Sequence, residues 1–194
     1  MGAIFQSLGK TIAAGVVILV IIIFAAGGAA KIGEHAWWTF VMRWLHVMSG
    51  VMWIGLLWYF NFVQTPSMPK IPDEQKPAIG KVIAPTALFW FRWSALATVV
   101  TGALLATMSG YIGNALMFGK GFLAIGIGMW LALIMAFNVW FIIWPNQKKI
   151  LGLVTASADV KAAAARLAGM TSRINTMLSI PMLYCMVAQN NAGL

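Results

Sequence analysis

Acidic residues are almost missing from this chain, with four among 194. Glu34, Asp73, Glu74 and Asp159 all fall between apolar runs, never inside one. Paired carboxylates and a Ser/His/Asp arrangement are therefore excluded from the apolar segments. Cysteine is nearly absent too. Cys185 stands alone in an apolar segment, which rules out an intrachain disulfide and a Cys-x-x-Cys-His site for covalent haem attachment. The two histidines, His35 and His46, give no zinc or copper spacing with that distant cysteine. Charge of either sign is scarce, at 9% of residues, far too little to cover the surface of a soluble domain of this length.

What is abundant is apolar. Hydrophobic residues make up 61% of the chain, and the mean hydropathy is +0.87. Several runs reach about eighteen residues, enough to cross roughly 30 Å of hydrocarbon. The sequence predicts an all-α integral membrane protein, a single domain over residues 1–194 with a bundle of about five transmembrane helices. Helices are required because a lone spanning segment must satisfy its own backbone in lipid. The spans are predicted at about 12–30, 37–63, 86–109, 122–144 and 174–189. The first run, TIAAGVVILVIIIFAAGGAA, exceeds a usual signal-peptide core and reads as a retained helix, although AAGGAA also suits cleavage. Pro66, Pro69 and Pro72 are expected to break the chain after the second span, and Pro145 to close the fourth. Residues 159–173, DVKAAAARLAGMTSR, are too polar to span and read as a helix lying on the membrane surface before the last span.

The net charge of +9 is scattered between spans rather than gathered on one face, which argues against nucleic acid and for anionic lipid. Nine loop cations, including Lys70, Lys76, Lys81, Lys148 and Lys149, fall on one side of the predicted bundle, and two, Lys31 and Lys120, on the other. Enrichment of Lys and Arg in cytoplasmic loops places the N-terminus in the cytoplasm, with the chain in the bacterial inner membrane. Arg43 and Arg92 lie within spans.

Polar residues inside spans carry the functional question, because such groups avoid lipid tails. On the second helix Thr39, Arg43, His46, Gly50, Trp53, Leu57, Asn61 and Gln64 recur every three or four residues, forming one face that should point into the bundle. His46 lies nine residues after Trp37, roughly 13 Å along the helix. It reads either as an axial ligand to haem b, with Met108, Met129 or a second subunit completing the site, or as a buried histidine bonded to a neighbouring helix. It is the one candidate for a catalytic or metal-binding role. Arg92 either snorkels to the interface or sits at the same depth as Asn61, Gln64, Asn138, Asn175 and Ser179. Arg92, Asn138, Gln64 and Asn61 are the substrate-binding candidates, suited to a planar or anionic ligand, with a packing network as the alternative.

Three strings, RWLHVMSGVMWIGLLWYFNFVQTP, NVWFIIWPNQKKI and RINTMLSIPML, resemble the membrane domain of cytochrome-c-linked urate hydroxylases, the urate oxidase N-terminal domain family. The resemblance runs from about residue 37 to 188, and Asn-Val-Trp…Pro-Asn-Gln-Lys is its most specific part. The Trp-Leu-His start of the second span is also similar to a wider set of haem-associated four- and five-helix membrane proteins. The resemblance implies a membrane domain linked to purine oxidation, from which electrons leave through a fused cytochrome c. This sequence has no cytochrome c motif, so a short form passing electrons to a separate cytochrome c is implied. The alternative is an accessory subunit of a larger membrane respiratory or photosynthetic complex.

Overall fold

The computed structural model describes residues 2–191, and in them the chain is helical with no strand. Four helices are long and apolar enough to cross a membrane: α1 (Leu8–Ala25), α2 (His35–Lys70), α3 (Lys76–Met108) and α4 (Leu123–Ile150). A fifth long helix, α5 (Ala158–Ala188), falls short of the other four in hydropathy. The chain divides into two compact units, residues 1–41 and 42–194.

The first unit holds α1 and a short 3-10 turn, Gly28–Lys31. The expected span 12–30 begins and ends earlier than predicted, because Gly27 adopts a left-handed conformation (φ +73°) that stops the helix.

In the second unit α2, α3, α4 and α5 all run through prolines, α5 through Pro181 within regular α-helix. Pi-helical turns at Tyr59–Gln64, Ile79–Ile83 and Asn138–Ile143 each end two residues before a proline: Pro66, Pro85 and Pro145. Proline lacks an N–H and its ring clashes with the carbonyl four residues back; a wider turn relieves both. Pro66 and Pro145 therefore do not end their helices, contrary to the sequence expectation. The break after α2 comes at Ile71, whose extended backbone (φ −90°, ψ 129°) is the conformation favoured before Pro72.

The surface helix expected over 159–173 and the span expected over 174–189 are one continuous helix. Ser157 caps it, its Oγ accepting from the Val160 N–H at 3.4 Å, and Asp159 complements the dipole in the first turn. Its far end caps another helix. Gln189 accepts from the Ile125 N–H at 3.1 Å and donates to the Gly121 carbonyl at 2.8 Å, so α5 closes the free N-terminus of α4. Alongside, Gly126 and Gly128 let α4 approach closely; a Cβ at Gly126 would collide with the Ala115 carbonyl, and one at Gly128 would crowd Cys185 and Met186.

The core of this unit gathers Trp53, Leu57, Phe91, Ala95, Met135, Val139 and Met182. For helices apolar enough to cross a membrane, association in lipid would rest on close packing and polar contacts rather than on a hydrophobic force. Ser94, Thr98 and Thr101 bond carbonyls of their own helix at 2.6–2.7 Å, which makes hydroxyls tolerable inside α3.

Candidate functional site

His46 is held by α3. Its Nδ1 lies 2.9 Å from the Thr98 carbonyl. A carbonyl only accepts, so Nδ1 carries the proton and Nε2 presents a lone pair. Thr101 Oγ1, 3.4 Å from Nδ1, is already committed as donor to the Ala97 carbonyl at 2.6 Å. The ring lies against Gly102, where an added Cβ would fall 2.8 Å from His46 Cε1. Any larger residue there would push the imidazole out of its place.

His46 borders a cleft of about 1020 Å³ within the second unit, between α2, α3, α4 and α5. Its wall is mostly apolar, with Val47 and Val51 on one flank and Leu133 and Val187 on another. Gly50 borders it too, and so does Trp53, which is fully buried and whose Nε1 has no hydrogen-bond partner. An unpaired indole N–H deep in a protein is uncommon, and Trp140 Nε1 is a second one here. Three methionines, Met129, Met182 and Met186, reach the same wall. Of the two methionines singled out from the sequence, Met129 borders the cleft and Met108 does not.

The second group of candidates is distributed over α2, α3 and α4. Asn61 donates to the Leu57 carbonyl at 2.9 Å and to Ser172 Oγ at 2.8 Å. Asn138 donates to Asn175 Oδ1 at 2.8 Å, and the fully buried Asn175 donates in turn to the Met135 carbonyl at 3.0 Å. Trp58 Nε1 reaches Ser179 Oγ at 3.0 Å. These bonds tie α2 and α4 to α5. Arg92 makes no fork onto an amide. Its Nη1 donates to the Leu88 carbonyl at 3.2 Å, and its Cζ lies 3.4 Å from the centroid of the Trp144 ring. Lys148 Nζ stands 6.0 Å from that ring, so two cations share one indole. Arg92 Nε and Gln64 Oε1 are buried with no partner.

The predicted stripe on α2 is therefore an interior face through much of its length. Arg43, His46, Gly50 and Trp53 border the cleft, Leu57 is in the core and Asn61 bonds α5. The four substrate-binding candidates make no hydrogen bond to one another. Sequence reasoning missed Thr98, Gly102 and Ser172, which have meaning only once a second helix lies beside them. Trp144, which drew no functional reading, is the platform for Arg92.

Residues 110–193 match the family model described as Urate oxidase N-terminal. This stretch holds α4, α5 and the segment before them, including Asn138; His46, Asn61, Gln64 and Arg92 lie outside it. The match is narrower than the resemblance over 37–188 expected from the sequence. No curated protein and no solved structure matches the chain.

Proposed function

We propose that this chain is a multi-pass protein of the bacterial inner membrane, of the urate-hydroxylase membrane-domain type, that takes electrons from a purine-type substrate and passes them to a separate cytochrome c. The observation that carries the redox reading is His46: its Nδ1–H is fixed by the Thr98 carbonyl and its Nε2 is left unpaired at the wall of a large apolar cleft. A carbonyl that accepts from one ring nitrogen in this way is how proteins orient an imidazole whose other nitrogen binds a metal. The purine part rests on the family match over 110–193.

The residues present fit a b-type haem. The cleft volume exceeds that of ordinary small-ligand pockets, its wall is apolar, and it offers one neutral imidazole and three thioethers. A haem held there would supply a one-electron carrier. Thr98 holds the tautomer and Gly102 makes room for the ring. Substrate binding falls to the other group. Arg92 Nε is a buried donor and Gln64 Oε1 a buried acceptor, each without a partner, and a planar heterocycle carries groups that complement both kinds. Asn138 and Asn61, tied to α5, hold the helices that carry them. Arg92 and Thr98 are six residues apart on one helix, about 9 Å along its axis, so the two groups are neighbours.

Membranes containing the chain, supplied with urate and oxidised cytochrome c, are expected to reduce the cytochrome. Arg92→Lys is expected to accumulate normally and lose most of that rate, because Lys cannot replace a planar guanidinium on an indole. Reduction by no purine from protein that does carry haem would sink the substrate assignment.

A second reading is favoured by one observation: Asn61–Ser172, Asn138–Asn175 and Trp58–Ser179 each close side chain upon side chain. A seam so occupied suits an accessory subunit of a larger membrane complex. Stoichiometric copurification of partner subunits, with no haem spectrum, is its signature.

A further inference from the structure

The cleft is not uniform along its length. At one end it is bordered by Arg43, Ser109, Tyr111 and Asn190, and deeper in by His46, Trp53 and apolar side chains. The polar end coincides with the end of α3 at Met108 and of α5 at Ala188, so four elements bring polar groups to one rim. Arg43 lies one turn before His46 on α2 and is exposed, with no acidic partner. Among the described residues Lys76–Asp73 is the one ion pair. Tyr111 is half-buried, its ring stacked on Phe122 at 5.6 Å and 20°, which fixes its direction. Burial pushes its phenol above the ordinary value, while the nearby Arg43 charge pulls the other way. The two residues therefore face the same rim from different elements.

A cleft with a cationic rim, an apolar body and an unpaired, fully buried Trp53 N–H is shaped for an amphiphile with an acidic end. We infer that the rim is a carboxylate-binding subsite, in which the Arg43 guanidinium and the Tyr111 hydroxyl receive the acidic side chains of a tetrapyrrole-type ligand whose centre lies at His46. The inference rests on the haem reading above and adds to it the residues that orient the ligand. Arg43 would supply charge and Tyr111 a neutral donor to the acidic edge of such a ligand.

Masking the carboxylates tests this without altering the protein. Purified protein in detergent is titrated with haemin and with haemin dimethyl ester, following the Soret band. The ester is expected to bind about ten- to a hundredfold more weakly, the range for losing one or more hydrogen bonds to a charged group. Arg43→Gln should weaken haemin by a similar factor and leave the ester unchanged, since the interaction is already lost. Equal binding of haemin and its ester by the wild-type protein would overturn the subsite while leaving the haem reading intact. Should Arg43→Gln fail to accumulate, the ester comparison still decides. If neither compound binds the wild-type protein, the haem reading and the subsite fall together.

Discussion

At the scale of single residues, the site depends on what a neighbouring helix permits. His46 stood out in the sequence because an imidazole on an apolar stripe is expensive unless it is used. Thr98 and Gly102 did not stand out, since a carbonyl and a missing Cβ carry no mark in one dimension. Gly102→Ala tests the fit: the new methyl falls 2.8 Å from Cε1, so the ring must tilt and its bond to Thr98 must lengthen. The variant is expected to accumulate with a shifted or weakened haem spectrum, and an unchanged spectrum would show that the ring has room to spare. Asn175 is the corresponding test for packing. Asn175→Leu leaves the Asn138 amide and the Met135 carbonyl unpaired, which costs about 1–3 kcal/mol in a soluble core and about 0.6 kcal/mol or more per bond between membrane helices. Its thermal midpoint in detergent should fall by several degrees; an unchanged midpoint would mean that both groups find other partners. That Asn61, Asn138, Asn175 and Ser179 lie at one depth was an expectation from spacing and orientation. Which pairs form was not legible there, because pairing depends on helix rotations of a few tens of degrees.

At the scale of elements, length and hydropathy sufficed to find α1 to α4, since a membrane imposes both. They did not suffice for α5. Its first half is rich in alanine and cations and its second half is apolar, so composition divides what the backbone joins. The pi-helical turns were equally hidden: proline signals a broken helix, and whether the chain breaks or widens is decided by what packs around it. These turns have a consequence that can be measured. One extra residue in a turn rotates all that follows by about 100° relative to an uninterrupted helix, and the turn over Asn138–Ile143 lies between Met135 in the core and Trp144 under Arg92. Pro145→Ala restores the N–H and removes the clash, allowing the turn to close. The variant is expected to keep its haem spectrum, because His46 lies on α2 and is held by α3, and to lose purine-dependent cytochrome reduction as Trp144 rotates from Arg92. A full rate from Pro145→Ala would show that packing alone maintains the turn.

At the scale of the whole molecule, the charge pattern makes a statement that the folded chain does not. Nine loop cations against two predict that the loop around Asp73 is cytoplasmic and the C-terminus outside. A reporter inserted near Asp73 should be cytoplasmic and one fused after Leu194, which lies beyond the described residues, extracytoplasmic; the reverse at both sites would invert every assignment of depth. In that predicted orientation His46 and the Arg43 rim would lie toward the outer face, open to the proposed cytochrome c, and Arg92 toward the cytoplasm, open to the proposed purine substrate. The account turns on whether His46 holds a haem. The reduced-minus-oxidised absorption spectrum of the purified protein tests this most directly, recorded for wild type, His46→Ala and His35→Ala. A b-type spectrum in wild type and His35→Ala, abolished in His46→Ala, is the expected result. A wild-type protein without such a spectrum after growth and reconstitution with haem, or one whose spectrum survives His46→Ala unchanged, would contradict it.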